Sequence, residues 1–148
     1  MPSIWREEAR NELLNRLDRL SADAPARWGK FTCPAMMAHV NDALRMPLGE
    51  VTPAMKKVPI RFFPLKQLII YYLPFPKGVP TSPVLLARCD EAVFQDEVQA
   101  FRQILGRLAR RSHETAWPRH PAFGTMSRRA WGVLGYRHVD HHFTQFGV

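Results

Sequence analysis

Two histidines four residues apart, His138 and His142, stand in the run Tyr136-Arg-His138-Val-Asp140-His141-His142-Phe-Thr-Gln145. On a helix this spacing stacks the imidazoles on one face, about 6 Å apart at Cβ. Neutral imidazoles so placed can chelate one metal ion. Two hold it weakly, so a third ligand is needed. His39 is the best supplier: it lies one turn after Met36 and one turn before Ala43, on a stripe that should point inward. Three histidines leave coordination positions open for water or substrate, as catalytic rather than structural sites do. The ion then acts as a Lewis acid and lowers the pKa of a bound water or thiol. Protons compete for the same nitrogens. From an ordinary histidine pKa of about 6.5, occupancy is expected to fall between roughly pH 6 and 5.

Helical counting puts Trp131, Leu134, His138, His142 and Gln145 on one face, apolar at its start. Gln145, one turn beyond His142, is expected to orient a ligand or touch substrate. His141 lies about 100° off that face and reads as a boundary or supporting group. Asp42, one turn beyond His39, and Asp140 are the available carboxylates for a general base, although a surface charge is the simpler reading of Asp42. His113 and His120 fall in a proline-containing loop and read as solvated. Cys33 and Cys89 read as small buried hydrophobes, and two cysteines make neither a disulfide framework nor a multi-cysteine zinc module. The competing reading of the histidines is a coincidental His-rich end, with imidazoles more than about 8 Å apart.

Helices must position these groups. Ser3 to Leu20 reads as an amphipathic helix capped by Ser3, with Ala9, Leu13, Leu17 and Leu20 as its buried stripe. A second helix is predicted to begin at Thr32 or Cys33, with Pro34 in its first turn, and to stop at Pro47 and Gly49. Seven prolines (53, 59, 64, 74, 76, 80 and 83) break the middle of the chain, leaving a short apolar helix in LKQLIIYYL and an extended strap in PFPKGVPTSP. Asp90 is expected to cap a long helix to about Arg111, with Phe94, Val98, Phe101, Leu105 and Leu108 inward. Ser127 is expected to cap the last helix, over about 127–146. No alternating strand is visible. The expectation is one all-α domain over 1–148, most simply a four-helix bundle.

The 148 residues are 46% hydrophobic and 11% aromatic, which excludes a disordered tail. No stretch approaches the 18 or so apolar residues of a spanning helix, and the acidic N-terminal run lacks a signal peptide's apolar region, so a cytoplasmic location is expected. Lys plus Arg exceed Asp plus Glu by 21 to 13, a net charge of +8. The positives are scattered and no recognition motif accompanies them, which argues against nucleic acid. The segment LKQLIIYYLPFP, near Lys56, Lys57, Arg61 and Lys66, could meet an anionic membrane or a second copy of the chain. Its prolines break any long amphipathic helix, which favours packing in the core or in a homodimer over the membrane.

The closing run His138-x-x-His141-His142-x-x-Gln145 resembles the signature of the DinB-like (YfiT-like) metal-dependent hydrolase superfamily. Trp28-Gly29, Met36-x-x-His39, Pro74-Phe-Pro-Lys77-Gly78 and His120-Pro121-Ala-Phe123-Gly124 extend the resemblance over nearly the whole chain, toward a domain-of-unknown-function branch. The resemblance implies a four-helix bundle running up, down, down, up. It also implies a divalent metal, zinc or nickel, on His39, His138 and His142. The implied activity is that of a metal-dependent hydrolase or a transferase acting with a small-molecule thiol such as bacillithiol, mycothiol or glutathione. The alternative is a non-catalytic metal- or ligand-binding bundle, in which the triad adds stability without turnover.

Overall fold

A computed structural model of the chain describes residues 1–56, 58–77, 83–86, 88–89 and 92–148. Among these residues there are five α-helices and no strand: α1 (Glu7–Leu17), α2 (Cys33–Arg45), α3 (Leu65–Tyr71), α4 (Phe94–Arg111) and α5 (Arg128–Gln145). The fold is all-α.

Local sequence explains the two helices that carry the histidines. The Thr32 side chain accepts from Ala35 N–H at 3.3 Å, and Pro34 occupies the first turn of α2, where its missing N–H costs nothing. In α5 the Ser127 hydroxyl accepts from Ala130 N–H at 3.2 Å. Most of α2 is buried, with Met36, Met37, Val40 and Leu44 fully enclosed. Its polar residues are therefore inside the protein, and each must find a partner there.

One apolar cluster joins α1, α2, α4 and α5 through Leu13, Met36, Val40, Phe101, Leu105 and Phe143. A second packs Ile70 of α3 with Leu85, Phe123, Trp131 and Leu134. The stripe of α5 is thus divided: Trp131 and Leu134 lie in the second cluster, and the histidines come further along the helix. Arg137 fixes α3 in place by donating to the carbonyls of Ile69 (2.7 Å), Ile70 (2.6 Å) and Leu73, three acceptors at the C-terminal end of that short helix. Phe62, Phe63 and Tyr72, flanking α3, are exposed.

Three expectations are corrected. Helix α1 starts at Glu7 rather than Ser3; the Ser3 hydroxyl accepts instead from Trp5 N–H at 3.3 Å. The preceding residues lie against α5, where Ile4 N–H donates to the Gly132 carbonyl at 3.0 Å. A Cβ on Gly132 would fall 2.3 Å from both Ser3 Oγ and Trp5, so only glycine admits this approach. The cap foreseen at Asp90 lies outside the described residues, and α4 begins at Phe94 after Val93 with no side-chain cap.

The third correction concerns His120, which is buried rather than solvated. Its Nδ1 accepts from the backbone N–H groups of Ala122 (3.1 Å) and Phe123 (3.2 Å), closing the tight loop that ends at the bridge to Gly124. An imidazole accepting at Nδ1 carries its proton on Nε2 and is neutral. Burial, with Lys66 nearby, pushes its pKa down to about 4. Unfolded, the group titrates at about 6.5, so between these values the unfolded chain binds the extra proton. The stability His120 contributes is complete above pH 6.5 and lost as pH falls toward 4. Asparagine can present Oδ1 to the same two N–H groups without titrating. Urea unfolding of His120→Asn across pH 7 to 4 is expected to fall less steeply than wild type; equal slopes would remove this role.

Candidate metal centre

His39, His138 and His142 converge. One ring nitrogen from each lies within 4.8 Å of the others, and His39 Nε2 stands 3.1 Å from His138 Nε2. Nitrogens sharing one tetrahedral zinc ion stand about 3.3 Å apart, given bond lengths of about 2.0–2.1 Å. The donor set therefore fits a metal that favours imidazole, and the alternative of separated histidines is excluded by distance.

Partners behind the rings fix which nitrogen faces inward. His39 Nδ1 donates to the Leu85 carbonyl at 3.4 Å, which leaves Nε2 with its lone pair. His142 Nδ1 donates to Gln145 Oε1 at 2.8 Å. Gln145 is itself held, because its Nε2 donates to the Trp28 carbonyl at 2.6 Å. Its amide orientation is thereby set, with Oε1 turned to His142 and Nε2 to Trp28. Gly29 makes room: its φ is +78°, and a Cβ there would meet Gln145 Nε2 at 2.7 Å.

Burial keeps the three rings neutral. Desolvation pushes the His39 pKa down, although Leu85 and Asp42 oppose it. It pushes His138 well below the ordinary value, and mutual repulsion with His142 and His39 adds to this. His142 is brought down to about 3, first by burial and then by repulsion from a charged His39. The nitrogens are thus free of competing protons at a lower pH than the ordinary value implies.

Aromatic rings surround the triad. Phe31 stacks on His39 at 5.2 Å between centroids and meets His142 edge-on at 5.9 Å. Phe75 packs near both His138 (6.5 Å) and His141 (5.9 Å). His141 is beside the triad rather than in it, with its ring 5.2 Å from that of His142 and 5.6 Å from Trp28. It lines a cleft of about 270 Å³ with Trp28, Phe75, Lys77 and Asp140.

Asp42 is not a surface charge. It is 5% exposed and engaged by Arg45 (2.8 Å) and by Arg88 (2.9 Å), which also pairs with buried Glu97 at 2.8 Å. Asn41 donates to the same Glu97 carboxylate at 2.7 Å. A carboxylate so occupied is poorly suited to take a substrate proton. Asp140 is likewise committed, to Arg16 at 2.7 Å. Cys33 offers no nucleophile, since burial raises its thiol pKa to about 11. The roles of Leu85, Arg88 and Phe31 carried no signal in the sequence, because each depends on a tertiary contact.

Gln145 gives a graded prediction. Gln145→Leu keeps side-chain bulk but removes the acceptor behind His142 and strands the Trp28 carbonyl. Metal affinity is expected to fall about 10- to 100-fold with the fold retained, measured by competition against a chelating dye. An unchanged affinity would show that the amide does not position the ligand. Searches with the chain find no matching family model, no matching curated protein and no matching solved structure.

Proposed function

We propose that this protein is a metal-dependent enzyme that holds a divalent ion, zinc or nickel, on His39, His138 and His142. The reading rests on one observation: three neutral imidazole nitrogens from two helices, enclosed by aromatic rings, within 4.8 Å of one another. Imidazole donors suit both metals, and three protein ligands leave room for a substrate atom. When bound, such an ion supplies Lewis acidity that keeps a water or thiol deprotonated near neutral pH. The protein's own part is positional. Leu85 and Gln145 hold two of the rings, Phe31 and Phe75 limit water, and the cleft beside His141 receives the substrate.

The resemblance to the DinB-like superfamily agrees with this reading, as does joint packing of α1, α2, α4 and α5 in one core, which suits a four-helix bundle. It directs the choice of substrate toward a small thiol, used for transfer or hydrolysis. Elemental analysis of untagged protein is expected to find about one divalent ion per chain, and a panel of small thiols with electrophilic acceptors is expected to reveal turnover that a chelator stops. Absence of any bound ion, with none taken up from zinc or nickel solutions, would refute the site. A chelator that lowers the melting temperature while every thiol and hydrolytic assay stays silent would favour the non-catalytic reading.

A further inference from the structure

We infer that the cleft beside the triad binds a small monoanion with a planar apolar body, a carboxylate being the simplest, with Lys77 as the recognising cation. The walls determine the body. The Trp28 ring lies 5.6 Å and the Phe75 ring 5.9 Å from His141, so three aromatic rings enclose one space of about 270 Å³. Pockets for drug-sized ligands run from about 300 to 1,000 Å³, so this one takes a smaller molecule, one or two fused rings in extent.

Charge determines the rest. Four of the lining residues are titratable or cationic, and three are already engaged. Arg137 is spent on the carbonyls of Ile69, Ile70 and Leu73, with its guanidinium 4.8 Å from the Phe75 ring. Asp140 is neutralised by Arg16. His141 is placed against the rings of Trp28 and His142. Lys77 has neither an ion pair nor a hydrogen bond among the described residues, and its Nζ rests 4.3 Å from the centre of the Trp28 ring. An ammonium parked on an indole face is held weakly and can swing to a carboxylate entering beside it. The one cation free to move selects a single negative charge, and Thr144, whose Oγ1 already accepts from Arg16, lines the cleft with a hydroxyl proton still to donate.

The inference rests on the proposed metal site only for the sense of placing a ligand there, and binding itself does not require the ion. Calorimetric titration with 2-naphthoate and with uncharged 2-naphthamide separates the two. Naphthoate is expected to bind one per chain, at least tenfold tighter than the amide. Lys77→Gln, a change at an exposed side chain, should bring naphthoate to the level of the amide while metal content and melting temperature stay unchanged. His142→Ala, which removes a metal ligand, should leave the naphthoate preference in place. Equal binding of acid and amide by wild type, or an unchanged preference in Lys77→Gln, would overturn the assignment. So would loss of naphthoate binding in folded His142→Ala, since the anion would then be sitting on the metal. Naphthoate binding by a wild-type protein that takes up no metal would uphold the cleft and refute the metal centre.

Discussion

Replacing His142 with alanine is expected to reduce bound metal from about one ion per chain to none detectable at micromolar protein. The two remaining rings, His39 and His138, face each other at 3.1 Å, and two imidazoles hold a divalent ion too weakly to survive gel filtration. The effect on stability follows by linkage. With free metal at about a thousand times its dissociation constant, the wild-type fold gains about 4 kcal/mol that the variant cannot gain. Wild-type melting temperature should therefore rise with added zinc and fall with chelator, and the variant's should respond to neither. His142 is only 8% exposed and packs on Phe31, so the variant also loses some packing. The metal response, not the baseline, is the readout. A variant that still binds an ion stoichiometrically would remove His142 from the ligand set.

The second large effect lies outside the triad. Arg88→Ala is expected to destabilise the fold by about 3 kcal/mol in urea, because it leaves two carboxylates, each with a side chain 7% exposed, short of a cation. The Arg88 side chain is itself 44% exposed, which places the figure at the low end for breaking a buried network. Asp42 keeps Arg45 and Glu97 keeps Asn41, so Glu97 is the more exposed to the loss of charge. Arg88→Ala combined with Glu97→Gln should recover part of the loss, because the amide retains an acceptor for Asn41 without a buried charge. Arg88 also ties the segment carrying Leu85 to α2, so the single variant should lower metal affinity through His39. A change under about 0.5 kcal/mol would mean that solvent screens the pair.

Periodicity made the helices that hold the ligands legible. Thr32 and Ser127 cap where their side chains allow, and the i,i+4 spacing of His138 and His142 survives intact because helix geometry is local. His39 stands on a stripe of apolar neighbours that includes Met36, and that stripe faces inward. Misreadings arose where a partner is distant or is backbone. Asp42 looks like any helix carboxylate until Arg88, 46 residues on, lies across it. His120 looks solvated beside its prolines because nothing in residue type announces two N–H groups turned back on Nδ1. The start of α1 was set by Gly132, whose missing Cβ lets residues 3–5 lie against α5 where a further helical turn was expected.

The separation of the two facing imidazoles has a kinetic consequence. His39 and His138 are 99 residues apart in sequence, so an unfolded chain offers a metal only the local pair on α5. Closing so long a loop is slow and entropically costly before other contacts repay it. The third nitrogen therefore arrives only when α2 and α5 have docked. Uptake of a metal during refolding should therefore track the docking of α2 on α5, so the appearance of the three-histidine complex would time that step of folding.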